Sequence, residues 1–277
     1  MSAHIGIRHD GIDTVLCDLD GVVWLAHHPI AGAVDAIAAL QGSGRRVLFV
    51  TNNSSATIAT QERALADVGI AATGDVVSSA MAAALLLEPG QRALVAGGPG
   101  VIEALEARGV VAILNDGERD PGPVDAVVAG LHRDFDYRRL AVAARALHRG
   151  ARLIGTNADP TYPTPSGLDP GGGSILAAIA TAGGVTPTVA GKPFEPMARV
   201  IAELLAPPGA AFDPRRVLMV GDRMDTDGLF AAQVGCRFAL VRSGSTPAGA
   251  VPIPALAADA LDVADLAAVA ALLLPPT

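Results

Sequence analysis

The stretch VLCDLDG, Val15–Gly21, decides the fold class of this chain. Its first three residues are apolar and uncharged, which predicts a short strand buried in a parallel sheet. Side chains alternate along a strand, so Asp18 and Asp20 point the same way if the extended backbone continues, and Gly21 then lets the chain turn. Two adjacent carboxylates repel each other unless a metal ion or a shared proton compensates, which suggests chemistry. Taken alone, the pair also fits an ordinary acidic turn.

A second apolar run, Val47–Val50, leads directly into the polar segment TNNSS, Thr51–Ser55. Hydroxyl and amide side chains ahead of a helix, together with the backbone N–H groups of its first turn, suit a phosphate group. Helix capping alone needs only one such residue, so five in a row exceed what a cap requires.

Lysine is the rarest basic residue in the chain: Lys192 is one lysine among 20 basic residues. A composition so biased towards arginine predicts lysine only where a compact ammonium on a flexible stem is needed. Lys192 lies in the segment Gly191–Pro193, after the short apolar run Thr188–Ala190. This position favours a role in a site over a chance surface lysine.

A third apolar run, Val217–Val220, ends in the acidic segment GDRMDTD, Gly221–Asp227. In an open parallel sheet, ligands bind beyond the carboxyl ends of the strands. The polar strand ends would therefore converge on one ligand. The expected set is Asp18, Asp20 and Asp222 around a hard cation, with Thr51 and Lys192 around a phosphoryl group.

These four segments, in this order, resemble the motifs of the haloacid dehalogenase-like superfamily of phosphohydrolases. The matching text is D-x-D-G from Asp18, T-N-N from Thr51, G-K-P from Gly191 and G-D-x-x-x-T-D from Gly221. Each motif is weak alone, but four in order at plausible spacing are a strong signal. The chain is most similar to the branch of 4-nitrophenylphosphatases and of phosphoglycolate and glycerol-phosphate phosphatases.

The resemblance implies an α/β fold, with a Rossmann-like parallel-sheet core and an inserted α/β cap domain. The core would comprise residues 1–80 and 185–277, and the cap residues 81–184. The alternation of apolar strands with alanine-rich helical stretches agrees with that class. The cap would select the substrate, and Asn157 and Asp159 are its candidate contacts, although both residues also fit a simple turn.

The resemblance also implies the role of each residue in the motifs. Asp18 would be the nucleophile, and Asp20 would exchange the proton with the leaving group and then with water. Mg²⁺ would be held by Asp18, by the backbone carbonyl of Asp20 and by Asp222, with Asp227 as a supporting or alternate ligand. Three residues would hold the phosphoryl oxygens: Thr51, Asn52 and Lys192.

The expected function is therefore Mg²⁺-dependent hydrolysis of small organic phosphate monoesters, of glycerol phosphate or phosphoglycolate type, through an aspartyl-phosphate. The alternatives are a nucleotide or sugar-phosphate phosphatase of the same fold, and a non-catalytic sensor of a phosphate ligand. The intact motif positions count against the sensor. Oligomeric state stays open at this point, with a homodimer among the options.

Composition narrows the classes of partner and the compartment. A formal net charge of −8 argues against nucleic acid and anionic membranes as partners. The two cysteines, Cys17 and Cys236, adjoin apolar segments and are expected to be buried thiols. No secretory signal pattern or membrane-spanning run is visible, so cytoplasmic residence is expected.

Overall fold

The computed structural model describes residues 11–164, 167–206, 211–246 and 260–275. Its packing separates two compact units. The first comprises Met1–Phe49, Ala66–Asp75 and Ala206–Thr277, and the second comprises Val50–Leu65 and Val76–Leu205.

Strands and helices alternate along most of the chain, as the sequence predicts. The strands are β1 (Thr14–Cys17), β2 (Trp24–Leu25), β3 (His28–Pro29), β4 (Arg46–Thr51), β5 (Val76–Ser78), β6 (Arg92–Ala96), β7 (Val111–Leu114), β8 (Ala126–Ala129), β9 (Arg152–Gly155), β10 (Thr161–Thr164), β11 (Gly167–Pro170), β12 (Thr188–Val189), β13 (Val217–Gly221), β14 (Arg237–Val241) and β15 (Leu261–Val263). The helices are α1 (Ala33–Gly42), α2 (Ile58–Asp67), α3 (Ser79–Ala84), α4 (Pro99–Ala107), α5 (Tyr137–His148), α6 (Gly172–Gly183), α7 (Glu195–Leu205), α8 (Leu229–Val234) and α9 (Leu266–Leu273).

The strand that carries the first motif is central in a six-stranded sheet of order β15-β14-β13-β1-β4-β5. Every residue of β1 is buried, as expected for an apolar strand covered on both faces. β1 runs parallel to β13 and to β4, with Cys17 opposite both Val220 and Phe49. This register aligns the carboxyl ends of β1 and β13, where Asp18 and Asp222 follow.

A second parallel sheet, of order β12-β9-β8-β6-β7, forms the centre of the second unit. Helices α5 and α6 pack on it and complete a core of aliphatic side chains. Asp136 caps α5, since its carboxylate accepts the N–H of Arg139 at 2.9 Å. Two parallel sheets flanked by helices confirm the predicted α/β class.

The packing units do not coincide with the predicted core and cap. Residues 50–65, 76–80 and 185–205 pack with the insert, although the sequence predicts that they belong to the core. One reason is backbone pairing, because the N–H groups of Ala190 and Gly191 donate to the carbonyls of Gly155 and Thr156 at 2.9 and 2.8 Å. The domain limits at residues 81 and 184 remain a prediction from the resemblance.

Two antiparallel hairpins complete the fold: β2 with β3 in the first unit, and β10 with β11 in the second. In the parts of the chain that the structure describes, none of the helices has the length and apolar character needed to cross a bilayer.

Candidate active site

Asp18 extends the pairing of β1 by one residue beyond the strand. Its N–H donates to the carbonyl of Val220 at 2.9 Å, so the backbone of Asp18 is fixed against the neighbouring strand β13. The preceding residue, Cys17, is fully buried, whereas Asp18 is only partly buried. The local fold therefore delivers this carboxylate to the carboxyl edge of the sheet, as the sequence predicts.

Three carboxylates meet at this edge, and we call Asp18, Asp222 and Asp227 the aspartate cluster. One carboxylate oxygen from each lies within 4.8 Å of the other two. Asp222 is 1% exposed and Asp227 is 0% exposed, so water screens their charges poorly. Such a group is costly without a cation, and oxygen donors are the ligands that Mg²⁺ prefers. These residues therefore fit a hard divalent cation.

Backbone and hydroxyl donors hold Asp222 in place. The N–H of Ser245 donates to Oδ2 of Asp222, and the hydroxyl of Thr246 donates to its main-chain carbonyl. Gly21 adopts φ = +85°, and a β-carbon there would lie only 2.4 Å from the same Oδ2 atom. Gly21 is therefore required both by the turn and by the close approach of Asp222.

The segment Ser243–Thr246 was not among the predicted site residues. Its sequence, SGST, follows β14 at the carboxyl edge of the sheet, and Ser243 Oγ donates to the carbonyl of Gly21 at 2.7 Å. The rule that selected Thr51, a polar run directly after an apolar strand, could also have found this segment.

Asp227 lies in a single turn of π-helix, Met224–Gly228, which brings it into the aspartate cluster. Its Oδ2 accepts the N–H of Arg223 at 3.1 Å. The guanidinium of Arg223 donates to both carboxylate oxygens of Asp225, and this hydrogen bonding lowers the pKa of Asp225 below its ordinary value. Asp227 lies with the buried carboxylates, while Asp225 forms an ion pair outside the cluster.

Asp20 lies in a compact turn and is exposed. Its Oδ1 accepts a hydrogen bond from the indole Nε1 of Trp24 at 3.1 Å. The N–H groups of Val23 and Trp24 donate to the carbonyl of Leu19 at 2.9 and 3.2 Å, which closes the turn. Trp24 was missed by sequence reasoning, although it is the single tryptophan of the chain and lies four residues after Asp20.

The hairpin that follows this turn carries two adjacent histidines. The ring of His27 packs against Trp24 with 4.9 Å between ring centroids, and His28 contacts the carbonyl of Ala26 through Nδ1 at 3.1 Å.

The second unit gathers a group of polar residues, which we call the Asn52 cluster: Asn52, Ser79, Asn157, Asp159 and Lys192. Oδ1 of Asn52 accepts the backbone N–H of Lys192 at 2.8 Å, and Nδ2 donates to the Lys192 carbonyl at 3.1 Å. Lys192 is 3% exposed. The second and third motifs are therefore in direct contact, although 140 residues separate them.

The two predicted cap residues belong to the same cluster. Nδ2 of Asn157 donates to the Asn52 carbonyl at 2.8 Å, and Ser79 Oγ donates to that carbonyl at 2.7 Å. Oδ2 of Asp159 accepts from Asn52 Nδ2 at 3.0 Å. The backbone N–H of Asp159 in turn donates to Oδ1 of Asn157 at 3.1 Å. A contact between these two residues and the substrate remains a prediction.

Thr51 ends β4 at the start of the same loop and is 2% exposed. Its hydroxyl accepts the N–H of Asn53 at 3.0 Å. A hydroxyl that accepts a backbone N–H still has its own proton to donate, so Thr51 keeps one donor for a further oxygen atom.

Comparison with known proteins gives a consistent family. A family model described as haloacid dehalogenase-like hydrolase matches residues 15–111, and one described as HAD-hydrolase-like matches residues 189–268. The D-glycerol 3-phosphate phosphatase of Mycobacterium tuberculosis is 39% identical over 237 residues, which cover 84% of this chain and 63% of that protein. The chain thus spans less than two thirds of that relative's length.

A second relative is covered over most of its own length. The acid sugar phosphatase of Staphylococcus aureus (strain USA300) is 37% identical over 234 residues, which cover 83% of this chain and 86% of that protein. Among solved structures, a glycerol phosphate phosphatase from Mycobacterium tuberculosis in complex with magnesium superposes with a TM-score of 0.80 at 35% identity. That match covers 93% of this chain and 76% of the other. The chain belongs to the haloacid dehalogenase-like hydrolases.

Proposed function

We propose that this protein is a Mg²⁺-dependent phosphatase of small organic phosphate monoesters, of glycerol phosphate or phosphoglycolate type. The observation that carries this proposal is the aspartate cluster, with three carboxylate oxygens within 4.8 Å of one another. The names of the relatives, glycerol 3-phosphate phosphatase and acid sugar phosphatase, support a phosphate ester as substrate.

The cation would be held by Asp18, by the backbone carbonyl of Asp20 and by Asp222. Asp227 lies in the same cluster, within reach as a supporting or alternate ligand. When bound, Mg²⁺ supplies positive charge that offsets the repulsion between the nucleophile and the phosphoryl oxygens.

Asp18 acts as the nucleophile. Its carboxylate oxygen forms a bond to phosphorus while the bond from phosphorus to the ester oxygen breaks. Asp20 gives its proton to the leaving oxygen, which departs as an alcohol. The products of this step are an aspartyl-phosphate on Asp18 and an ionised Asp20.

The second step restores the enzyme. A water molecule attacks phosphorus, Asp20 takes one of its protons, and the bond between phosphorus and the Asp18 oxygen breaks. Inorganic phosphate leaves, Asp18 is again a carboxylate and Asp20 is again protonated. The hydrogen bond from Trp24 to Asp20 Oδ1 orients this carboxyl group in both steps.

Thr51 and Lys192 are assigned to the phosphoryl oxygens, a role that the sequence also predicts for Asn52. The hydroxyl of Thr51 is a donor at the end of a parallel strand, and the ammonium of Lys192 supplies charge in a chain of net charge −8. The insert, predicted over residues 81–184, would select the leaving group, because contacts to the phosphoryl group alone are common to all monoesters.

Two alternatives differ in substrate or in outcome. A sugar-phosphate or nucleotide phosphatase would use the same residues, and the name of the Staphylococcus aureus relative favours the sugar-phosphate option over the nucleotide one. A non-catalytic sensor would bind phosphate without turnover.

Cytoplasmic residence and the absence of a nucleic-acid or membrane partner are part of the proposal, supported by two free thiols and the negative net charge. A homodimer remains an option.

Phosphate release from a panel of monoesters tests the proposal. The panel comprises glycerol phosphate, phosphoglycolate, a sugar phosphate, a nucleoside monophosphate and 4-nitrophenyl phosphate, each with Mg²⁺ and with chelator. We expect release from the small monoesters with Mg²⁺ only. Binding of phosphate without release from any ester would instead identify a sensor.

A further inference from the structure

The side chain of Asn52 is fully committed to protein partners. A primary amide has two N–H donors. In Asn52 one donates to Asp159 Oδ2 at 3.0 Å and the other to the Lys192 carbonyl at 3.1 Å. Its oxygen accepts the Lys192 N–H at 2.8 Å. To donate to a phosphoryl oxygen, this side chain would have to give up one of these bonds.

The orientation of the Asn52 amide follows from the same three contacts. In the opposite orientation, Nδ2 would face the N–H of Lys192, and Oδ1 would face the carbonyl of Lys192 and the carboxylate of Asp159. All three contacts would then be repulsive, so one orientation satisfies the whole set. The Asp159 carboxylate presents only oxygen acceptors to the Asn52 amide, so it favours the orientation in which Nδ2 of Asn52 faces it.

The backbone of Asn52 is held as firmly as its side chain. Its carbonyl accepts from Asn157 Nδ2 at 2.8 Å and from Ser79 Oγ at 2.7 Å, and both residues are at least 95% buried. Gly191 completes the arrangement, since a β-carbon there would lie 2.5 Å from Asn52 Oδ1. Because Gly191 has no side chain, the Asn52 amide has room to form hydrogen bonds with the backbone of Lys192.

We infer that Asn52 is a positioning residue for Lys192, and that Asp159 and Asn157 act on the reaction through Asn52 rather than by contact with the substrate. Hydrogen bonds to both the N–H and the C=O of Lys192 hold the two peptide planes on either side of the Cα atom from which its side chain departs. Lys192 has a long flexible stem, so a fixed origin narrows the range of positions open to its ammonium group. The inference rests on the proposed function in one respect, namely that the Lys192 ammonium binds the phosphoryl group.

The single lysine of the chain allows the hydrogen bond between Asn52 and Lys192 to be probed directly. Lys192 is the single lysine, so growth on [¹⁵N]lysine gives one backbone amide cross-peak, and that N–H is the one that Asn52 accepts. We expect slow exchange of this proton with deuterated water in the wild-type protein. Asn52→Ala removes a hydrogen bond of about 1 kcal/mol, which corresponds to about fivefold faster exchange and a shifted peak.

Asp159→Ala should move the same peak in the same direction, because the Asn52 amide loses the partner that orients it. Asp159→Asn should bring the peak back towards the wild-type position, since the new amide oxygen still accepts from Asn52. The matched control is Asn115→Ala, because Asn115 is an asparagine of the same unit whose side chain also donates to a main-chain carbonyl, that of Arg139, at 2.9 Å. An unmoved peak in Asp159→Ala, or a shift no larger than in the control, overturns the inference.

Turnover supplies the second readout. In Asp159→Ala we expect kcat/KM to fall by the same factor, within about twofold, on glycerol phosphate and on 4-nitrophenyl phosphate, with unchanged Tm. A changed ranking of the two substrates would mean direct contact with the leaving group, and would refute the inference. If Asp159→Ala does not fold, the same two substrates are compared in Asn52→Asp. This variant keeps the size of the side chain and removes both of its N–H donors. The labelled amide needs no substrate, so absent turnover in the wild type would contradict the proposed function alone.

Discussion

The indole Nε1–H of Trp24 donates to Oδ1 of Asp20 across 3.1 Å. An indole N–H is a donor only, so this oxygen of Asp20 serves as the acceptor, and the bond restricts the rotation of the carboxyl group. Trp24 itself is 3% exposed, and the turn from Leu19 to Trp24 is closed by backbone hydrogen bonds. The residue proposed to transfer protons is therefore held by a side chain that no motif includes.

Trp24→Phe tests this hydrogen bond. The substitution keeps most of the buried ring and removes the donor, so the orientation of Asp20 becomes less defined. We expect kcat to fall by about tenfold on glycerol phosphate, whose alkoxide leaves only when protonated, and by less on 4-nitrophenyl phosphate. Equal losses on both substrates, at unchanged Tm, would mean that Trp24 does not act through proton transfer.

Asp18→Asn tests the covalent route. The amide cannot attack phosphorus, while its size preserves the packing at the end of β1. We expect turnover to fall by at least ~10³ with the fold intact by circular dichroism. Asp20→Asn should also be severe, most strongly on alkyl phosphates. Wild-type activity of Asp18→Asn would exclude an aspartyl-phosphate on this residue.

Lys192→Arg tests whether geometry or charge matters at the single lysine. A guanidinium is broader than an ammonium and cannot occupy the same position, so we expect a loss of at least ~10² in kcat/KM with the charge conserved. Steady-state kinetics on two substrates measure it. Near-normal kcat would show that any cation suffices there, and that the rarity of lysine is a coincidence.

Asp227→Asn tests the membership of Asp227 in the cation site. Loss of one buried carboxylate from the aspartate cluster should raise the Mg²⁺ concentration for half-maximal activity by about tenfold. Asp225→Asn is the control in the same turn, because Asp225 pairs with Arg223 outside the cluster. The two variants are compared by Mg²⁺ titration after treatment with chelator. A matching response in both variants would remove Asp227 from the site.

The two thiols provide a test of the compact fold. Cys17 is fully buried, whereas Cys236 is partly buried, and burial raises the pKa of the Cys236 thiol to about 12, well above its ordinary value of 9.0. Since the thiolate is the reactive form, we expect native protein at pH 8 to resist a disulfide reagent, and denatured protein to react at both cysteines. Fast labelling of the native protein would contradict this packing.

Part of the candidate site could be predicted because its residues directly follow strands that the local sequence pattern reveals. Asp18 and Asp222 each follow a short apolar strand, and the strand ends of a parallel sheet share one edge. That rule needs only the pattern of the sequence, and it led to the α/β class and to both of these carboxylates, while the order of the four motifs led to the family. Asp227 was predicted as a supporting ligand, and the structure gathers it with the other two.

The sequence by itself determined the elements, their class and the residue types at the strand ends, because hydrophobic period and strand length are properties of neighbouring residues. Only the tertiary structure decided the partners of those residues. Asn52 meets Lys192 across 140 positions, and Ser245 meets Asp222 across 23. Such pairs depend on where loops from distant strands converge and on which glycines admit a close approach, and a linear pattern carries no information about either.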